Sequence, residues 1–100
     1  MLEISKKKEN TVLEVALKGR LDTSTSPELE QFLKDNLTGV TELVIDLSDL
    51  EYISSAGLRI FLGILQNAQE KGGHVYIKGI NDNVRTIFTI TGFSNIFEYK

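Results

Sequence analysis

Ser54-Ser55-Ala56-Gly57-Leu58 joins an apolar, strand-like run, Leu43-Val44-Ile45-Asp46-Leu47, to a long amphipathic pattern beginning at Gly57. A hydroxyl at a loop-to-helix junction lies at the positive end of the helix dipole, among backbone N–H groups with no intrahelical partner. Two chemistries suit that position. One is a phosphate, on a bound ligand or esterified to the serine; the other is a plain helix cap. Asp22 is the second candidate. It follows a strand and precedes a capped helix, so it should emerge at the sheet edge where the next strand hands over to Ser55. Open α/β sheets place their sites at that edge. A turn aspartate satisfying nearby N–H groups is the alternative, and one residue can do both.

Catalysis finds little support. Ser54 or Ser55 as nucleophile needs a base, and the only histidine, His74, lies one helix and one turn further on. The segment is not a Gly-x-Ser-x-Gly elbow, and no glycine-rich nucleotide loop with a lysine occurs. Asp46 ends a strand as a receiver-domain phosphoacceptor does, but the acidic pair such a site needs is missing. One histidine and no cysteine leave no metal-ligand set. The expectation is a protein with no catalytic residue, metal or cofactor.

A chain of 100 residues, 41% hydrophobic, makes one domain spanning 1–100 that buries about two-thirds of its unfolded surface. The net charge of -3 and a single short basic run, Lys6-Lys7-Lys8 followed by Glu9, argue against nucleic acid. No stretch has the length of a signal peptide core or a membrane span, and cysteine is absent, so a cytoplasmic domain is expected. Its size and acidity are compatible with a monomer.

The elements that must position the serines follow from periodicity. Leu2 to Lys8 and Thr11 to Lys18 alternate as a hairpin turning at Glu9-Asn10, after which Gly19 to Asp22 leaves the sheet for a polar loop, Thr23 to Ser26. Ser26-Pro27-Glu28 predicts a helix capped by Ser26, with Leu29, Phe32, Leu33 and Leu37 on one face and a stop at Gly39. Glu42 to Leu47 has the continuous apolar character of a strand buried on both sides. The helix from Gly57 to Lys71 carries Leu58, Phe61, Leu62, Leu65 and Ala68 at helical spacing. His74 to Lys78 makes a further strand, and Asn81 or Asp82 caps a last helix stopped by Gly92. Phe93, Ile96 and Phe97 must pack back on the body. The order β-β-α-β-α-β-α, with right-handed crossovers, is a mixed sheet covered by helices, an α/β fold.

Gly19-Arg20-Leu21-Asp22, the strand ending in Asp46-Leu47, and above all Tyr52-Ile53-Ser54-Ser55-Ala56-Gly57-Leu58 together resemble the STAS domain of bacterial anti-sigma factor antagonists. The similarity runs from end to end, including the closing Gly92-Phe93 and Ile96-Phe97. It implies a non-enzymatic partner of an anti-sigma factor that is also a serine kinase, with a serine phosphatase reversing the modification. The family motif, Asp-Ser-(Ser/Thr/Ala)-Gly-Leu, puts the phosphoacceptor at Ser55; Ser54 stands where aspartate is usual and becomes a second possible acceptor. A STAS module serving as a fixed subunit of a transporter or signalling assembly is the other use the resemblance allows.

Helical spacing places Ser55, Arg59, Gly63, Gln66 and Glu70 on one stripe, opposite the apolar one. With Asp22, Thr23, Ser24, Ser54 and Gly57 these form the expected partner-binding set. Gly63 costs about 1 kcal/mol relative to alanine in a helix interior. Three readings stand: close approach of another protein's backbone, tight helix packing within the domain, or simple drift.

Overall fold

Because the strands follow one another across the sheet in chain order, every crossover turns the same way, and right-handed crossovers then put every helix on one face. A computed structural model describes residues 1–100 as β1 (Leu2–Glu9), β2 (Val12–Leu21), α1 (Ser26–Asn36), β3 (Glu42–Ile53), α2 (Ser55–Glu70), β4 (His74–Lys78), α3 (Asp82–Thr91), a 3-10 turn (Phe93–Asn95) and β5 (Glu98–Tyr99). The sheet order is β1-β2-β3-β4-β5. β1 and β2 form the antiparallel hairpin, closed by Glu9 opposite Val12, with Asn10 in the left-handed region at φ 56°. The remaining neighbours are parallel.

One core results. Leu13, Val15 and Leu17 of β2, Leu43, Ile45 and Leu47 of β3, and Val75 and Ile77 of β4 meet the buried faces of all three helices. The α/β class and the element order match the expectation. So does the burial of β3 on both sides, with Leu43, Val44 and Ile45 all at most 4% exposed, although Val44 lies outside this core, in register between Glu14 and Tyr76 on a helix-free face. That face is covered only by its own side chains. Lys78 pairs with Glu14 at 3.6 Å, and Lys100 reaches Glu42 at 2.9 Å while lying 4.7 Å above the Tyr76 ring.

β2 and β3 also run further than periodicity indicated. Gly19 to Leu21 stay in the sheet, and β3 continues through Ser48 to Ile53. The reason is a pair of bulges. The pairing passes from Ala16–Asp46 to Lys18–Asp49, and from Gly19–Leu50 to Arg20–Tyr52, so β3 gains a residue at each step. Leu47, Leu50 and Ile53, three residues apart, thereby all point into the core and are at most 2% exposed. Alternation by two, the usual signature of a strand, cannot detect such a segment. Asn81 stabilises it. Its side-chain oxygen caps α3 by accepting from the Val84 N–H at 3.1 Å, as one of the two expected caps. Its amide donates to the carbonyls of Leu47, Ser48 and Leu50 around the first bulge.

The C-terminal tail packs back as required. Phe97 is buried and, with Phe61, Phe88 and Phe93, forms an aromatic cluster with ring centroids 5.9 to 6.4 Å apart. Ile96, expected inside with them, is 44% exposed. Two residues of β5, too short to show a period, then pair with Tyr76 and Ile77 of β4. No helix is long and apolar enough to cross a membrane.

Candidate functional site

The two β3 bulges decide where Asp22 and Ser55 stand. They bring Leu21 opposite Ile53, and the Ser54 N–H donates to the Leu21 carbonyl at 2.8 Å. The loop after β2 and the start of α2 are therefore side by side at the C-terminal edge of the sheet. His74 lies at the other end, paired with Glu42 at the start of β3. The whole length of β3 separates the one imidazole from the serines.

Ser54 is the cap of α2. Its backbone is extended (φ -90°, ψ 172°), its hydroxyl accepts from the Gly57 N–H at 3.3 Å, and its carbonyl accepts from Leu58. Ser55 is the first helical residue and is exposed, and its hydroxyl has no hydrogen-bond partner in the domain. The junction thus divides the two chemistries between two serines: Ser54 holds the helix end, and Ser55 offers a free hydroxyl at the positive pole. No acidic residue occupies the first turn, so no charged side chain of α2 itself offsets the positive end of its dipole.

Gly57 is what allows α2 to start so close to the sheet. A Cβ there would lie 2.8 Å from Cγ and Cδ2 of Leu21 and 2.9 Å from Cγ1 of Ile53. Its place in the expected partner-binding set is corrected accordingly: Gly57 is buried and acts by positioning Ser54 and Ser55. Gly57→Ala should destabilise the domain by about 1–3 kcal/mol through overpacking, as a lower midpoint in urea unfolding. An unchanged midpoint would mean the contact is slack.

Asp22 organises its own loop. Its Oδ1 accepts from the Ser24 hydroxyl (2.7 Å) and N–H (3.0 Å) and from the Thr25 N–H (3.1 Å). Thr25, buried, donates through Oγ1 to the Arg20 carbonyl at 2.8 Å and accepts from the Asp22 N–H at 2.9 Å. Ser26 does not cap α1. It is the first helical residue, and its hydroxyl donates to the Asp22 carbonyl at 2.6 Å, while Thr25 holds the cap position without a side-chain cap bond. Thr25 escaped the sequence reading because nothing marks it within Thr23-Ser24-Thr25-Ser26.

These donors, the Ser24 hydroxyl first and the Thr25 N–H next, hold the Asp22 carboxyl below its ordinary 3.8. With a lowered folded value, the loop's stabilisation is present above the ordinary carboxylate range and is lost as pH falls through that lower value. The NMR titration of the Asp22 carboxyl carbon should have its midpoint below 3.8, and Ser24→Ala should raise it. A midpoint at the ordinary value would show that the loop hydrogen bonds are not formed in solution.

The exposed stripe is as expected: Ser55, Arg59, Gly63, Gln66 and Glu70 all face solvent. Gly63 has no atom within 4 Å of where a Cβ would be, which rules out tight packing within the domain. Two features were not expected. Arg20 lies 4.6 Å above the exposed Tyr52 ring beside the same sheet edge. An open groove of about 620 Å³ runs between α1 and α2. Both depend on neighbours far apart in sequence.

The STAS domain profile matches residues 3–100. An anti-sigma-B factor antagonist of Staphylococcus aureus (strain NCTC 8325 / PS 47) is 31% identical over 96 residues, covering 95% of this chain and 89% of its own length. Among solved structures, an anti-sigma factor antagonist from Mycobacterium paratuberculosis superposes with a TM-score of 0.87 at 25% identity, over 99% of this chain and 85% of that one. The Bacillus cell fate determinant SpoIIAA in its phosphorylated form gives a TM-score of 0.77 at 15% identity, over 98% and 91% of the two chains. Single-faced sheet, bulged third strand and serine-capped second helix are thus features of a protein that belongs to the STAS domain family.

Proposed function

We propose that this chain is an anti-sigma factor antagonist, acting in the cytoplasm as a monomeric binding module rather than an enzyme, and switched by phosphate on Ser55. Unmodified, it docks on an anti-sigma factor that is also a serine kinase, through the Asp22–Ser24 loop and the exposed face of α2, and the sigma factor is released. Phosphorylated, it lets go until a serine phosphatase restores the hydroxyl. The observation that carries this reading is the free, exposed Ser55 hydroxyl at the first position of α2, next to an ordered acidic loop.

The physical asymmetry supports it. A phosphate near a helix N-terminus gains roughly 0.3–1 kcal/mol from the dipole, so the domain stays folded when modified. In a docked interface the same group brings about -1.5 to -2 charges beside Asp22, and these must be desolvated. The aspartate usual before the acceptor is replaced by Ser54, which still provides the cap. The replacement therefore removes a neighbouring negative charge without loosening the helix start.

The direct test is incubation with a cognate anti-sigma kinase and ATP, followed by peptide mass spectrometry. One phosphate on Ser55 is expected, with Ser54 the weaker site because its oxygen is engaged by Gly57. Phosphate confined to other residues would sink the proposal.

A further inference from the structure

The groove between α1 and α2 has an apolar floor, with Leu33 and Ile64 buried at its base and Ile60 half-buried on its wall. Its charged lining residues are Glu30, Lys34, Arg59 and Lys71. Glu30 is 3.9 Å from Lys34, whereas Arg59 and Lys71 are exposed and enter none of the domain's ion pairs. A chain of net charge -3 thus carries a locally cationic trough. Midway along it sits Gly63, open to solvent with no neighbour where a side chain would stand. Nothing inside the domain requires a glycine there, although it weakens α2 by about 1 kcal/mol relative to alanine.

We infer that this trough receives one amphipathic helix of a partner protein, its apolar stripe on the Leu33–Ile60–Ile64 floor and an acidic residue toward each end. The lining of α2 from Ala56 to Lys71 is about 22 Å long at 1.5 Å per residue, four turns of a docked helix. Arg59 and Lys71 are separated by roughly 18 Å along α2, so the two carboxylates belong about twelve positions apart on the incoming helix. Gly63 leaves a notch for its closest approach. A second copy of this chain is disfavoured as occupant, since the two cationic troughs would face each other. The inference rests on the proposed switch for its regulatory meaning: Ser55 lies one turn from Arg59, so its phosphate would compete with the partner's carboxylate for that guanidinium.

The test uses the full isotope-labelled chain and a synthetic amphipathic helical peptide with a leucine stripe and two glutamates about twelve positions apart. A control peptide carries lysines in place of the glutamates. Amide shifts should localise to Ala56, Ile60, Gly63 and Asn67. The lysine peptide should bind at least about tenfold more weakly, as should the glutamate peptide to the R59E/K71E chain. Gly63→Leu should abolish binding while leaving the unfolding midpoint unchanged or higher, because its side chain enters open space. No binding, equal affinity for both peptides, shifts on the helix-free sheet face, self-association through the groove, or binding that survives Gly63→Leu would each overturn the inference. The two readings also separate against the anti-sigma kinase. Binding abolished by Ser55→Asp but indifferent to Gly63→Leu and R59E/K71E sinks the groove alone. Groove binding of the peptide, together with no phosphate on Ser55 after incubation with the anti-sigma kinase and ATP, sinks the switch alone.

Discussion

Ser55→Asp should weaken binding to the anti-sigma kinase by roughly two to three and a half orders of magnitude, while Ser55→Ala binds constitutively and neither variant unfolds below the wild-type temperature. The size follows from desolvation. Leaving a charge buried without a partner costs about 3–5 kcal/mol, and each 1.4 kcal/mol is a factor of ten in affinity. Asp22 on the adjoining loop adds repulsion, since its carboxylate is ionised at neutral pH, held in that form by the hydrogen bonds that Ser24 and Thr25 donate to Oδ1. Stability is spared because the Ser55 side chain is exposed and bonded to nothing in the domain, and because a negative charge at the first helical position interacts favourably with the dipole. Titration calorimetry alongside thermal unfolding separates these effects. Equal affinities for the Asp and Ala variants would show that charge at this position does not govern docking.

Phe61→Ala should have the largest effect on the fold. Phe61 is fully buried on the inner side of α2 and meets Phe88 and Phe97 edge-on at 6.4 Å. Truncating such a residue costs about 3–5 kcal/mol, against a total stability of about 5–15 kcal/mol for a domain of this kind. The unfolding midpoint should drop by roughly 15–30 °C. The loss is expected to be global, because the same aromatic cluster ties α2, α3 and the C-terminal tail together. Residual partner binding should track the folded fraction, unlike Ser55→Asp, which binds poorly while fully folded. A drop of only a few degrees, measured by calorimetry, would mean that the cluster is loosely packed.

The Ser54-Ser55 junction and Asp22 were legible in the sequence because each belongs to a local pattern, apolar strand to amphipathic helix in one case and strand to capped helix in the other. Helix faces were legible for the same reason: Leu29 with Leu33, Leu58 with Phe61 and Val84 with Phe88 keep the helical interval. What the sequence concealed is long-range. β3 reads as ending at Leu47 because Leu47, Leu50 and Ile53 keep a spacing of three that only bulges turn inward. The helix-free sheet face follows from the sequential strand order, which no single segment records. Val44 looks like a residue buried between layers, yet it is sheltered by polar neighbours instead. Ser26 has every local mark of a cap, but the Asp22 loop supplies a carbonyl for its N–H and hydroxyl, shifting the cap position to Thr25. The cationic trough is likewise invisible locally, since Lys34 and Arg59 share it only after α1 and α2 pack.

The most direct measurement is the affinity of the anti-sigma kinase for the chain stoichiometrically phosphorylated on Ser55, compared with the unmodified chain at matched ionic strength. The account requires binding at least about a hundredfold weaker together with an unfolding midpoint no lower than that of the unmodified chain. Equal affinity in the two forms, or weaker binding accompanied by unfolding of α2, would contradict it.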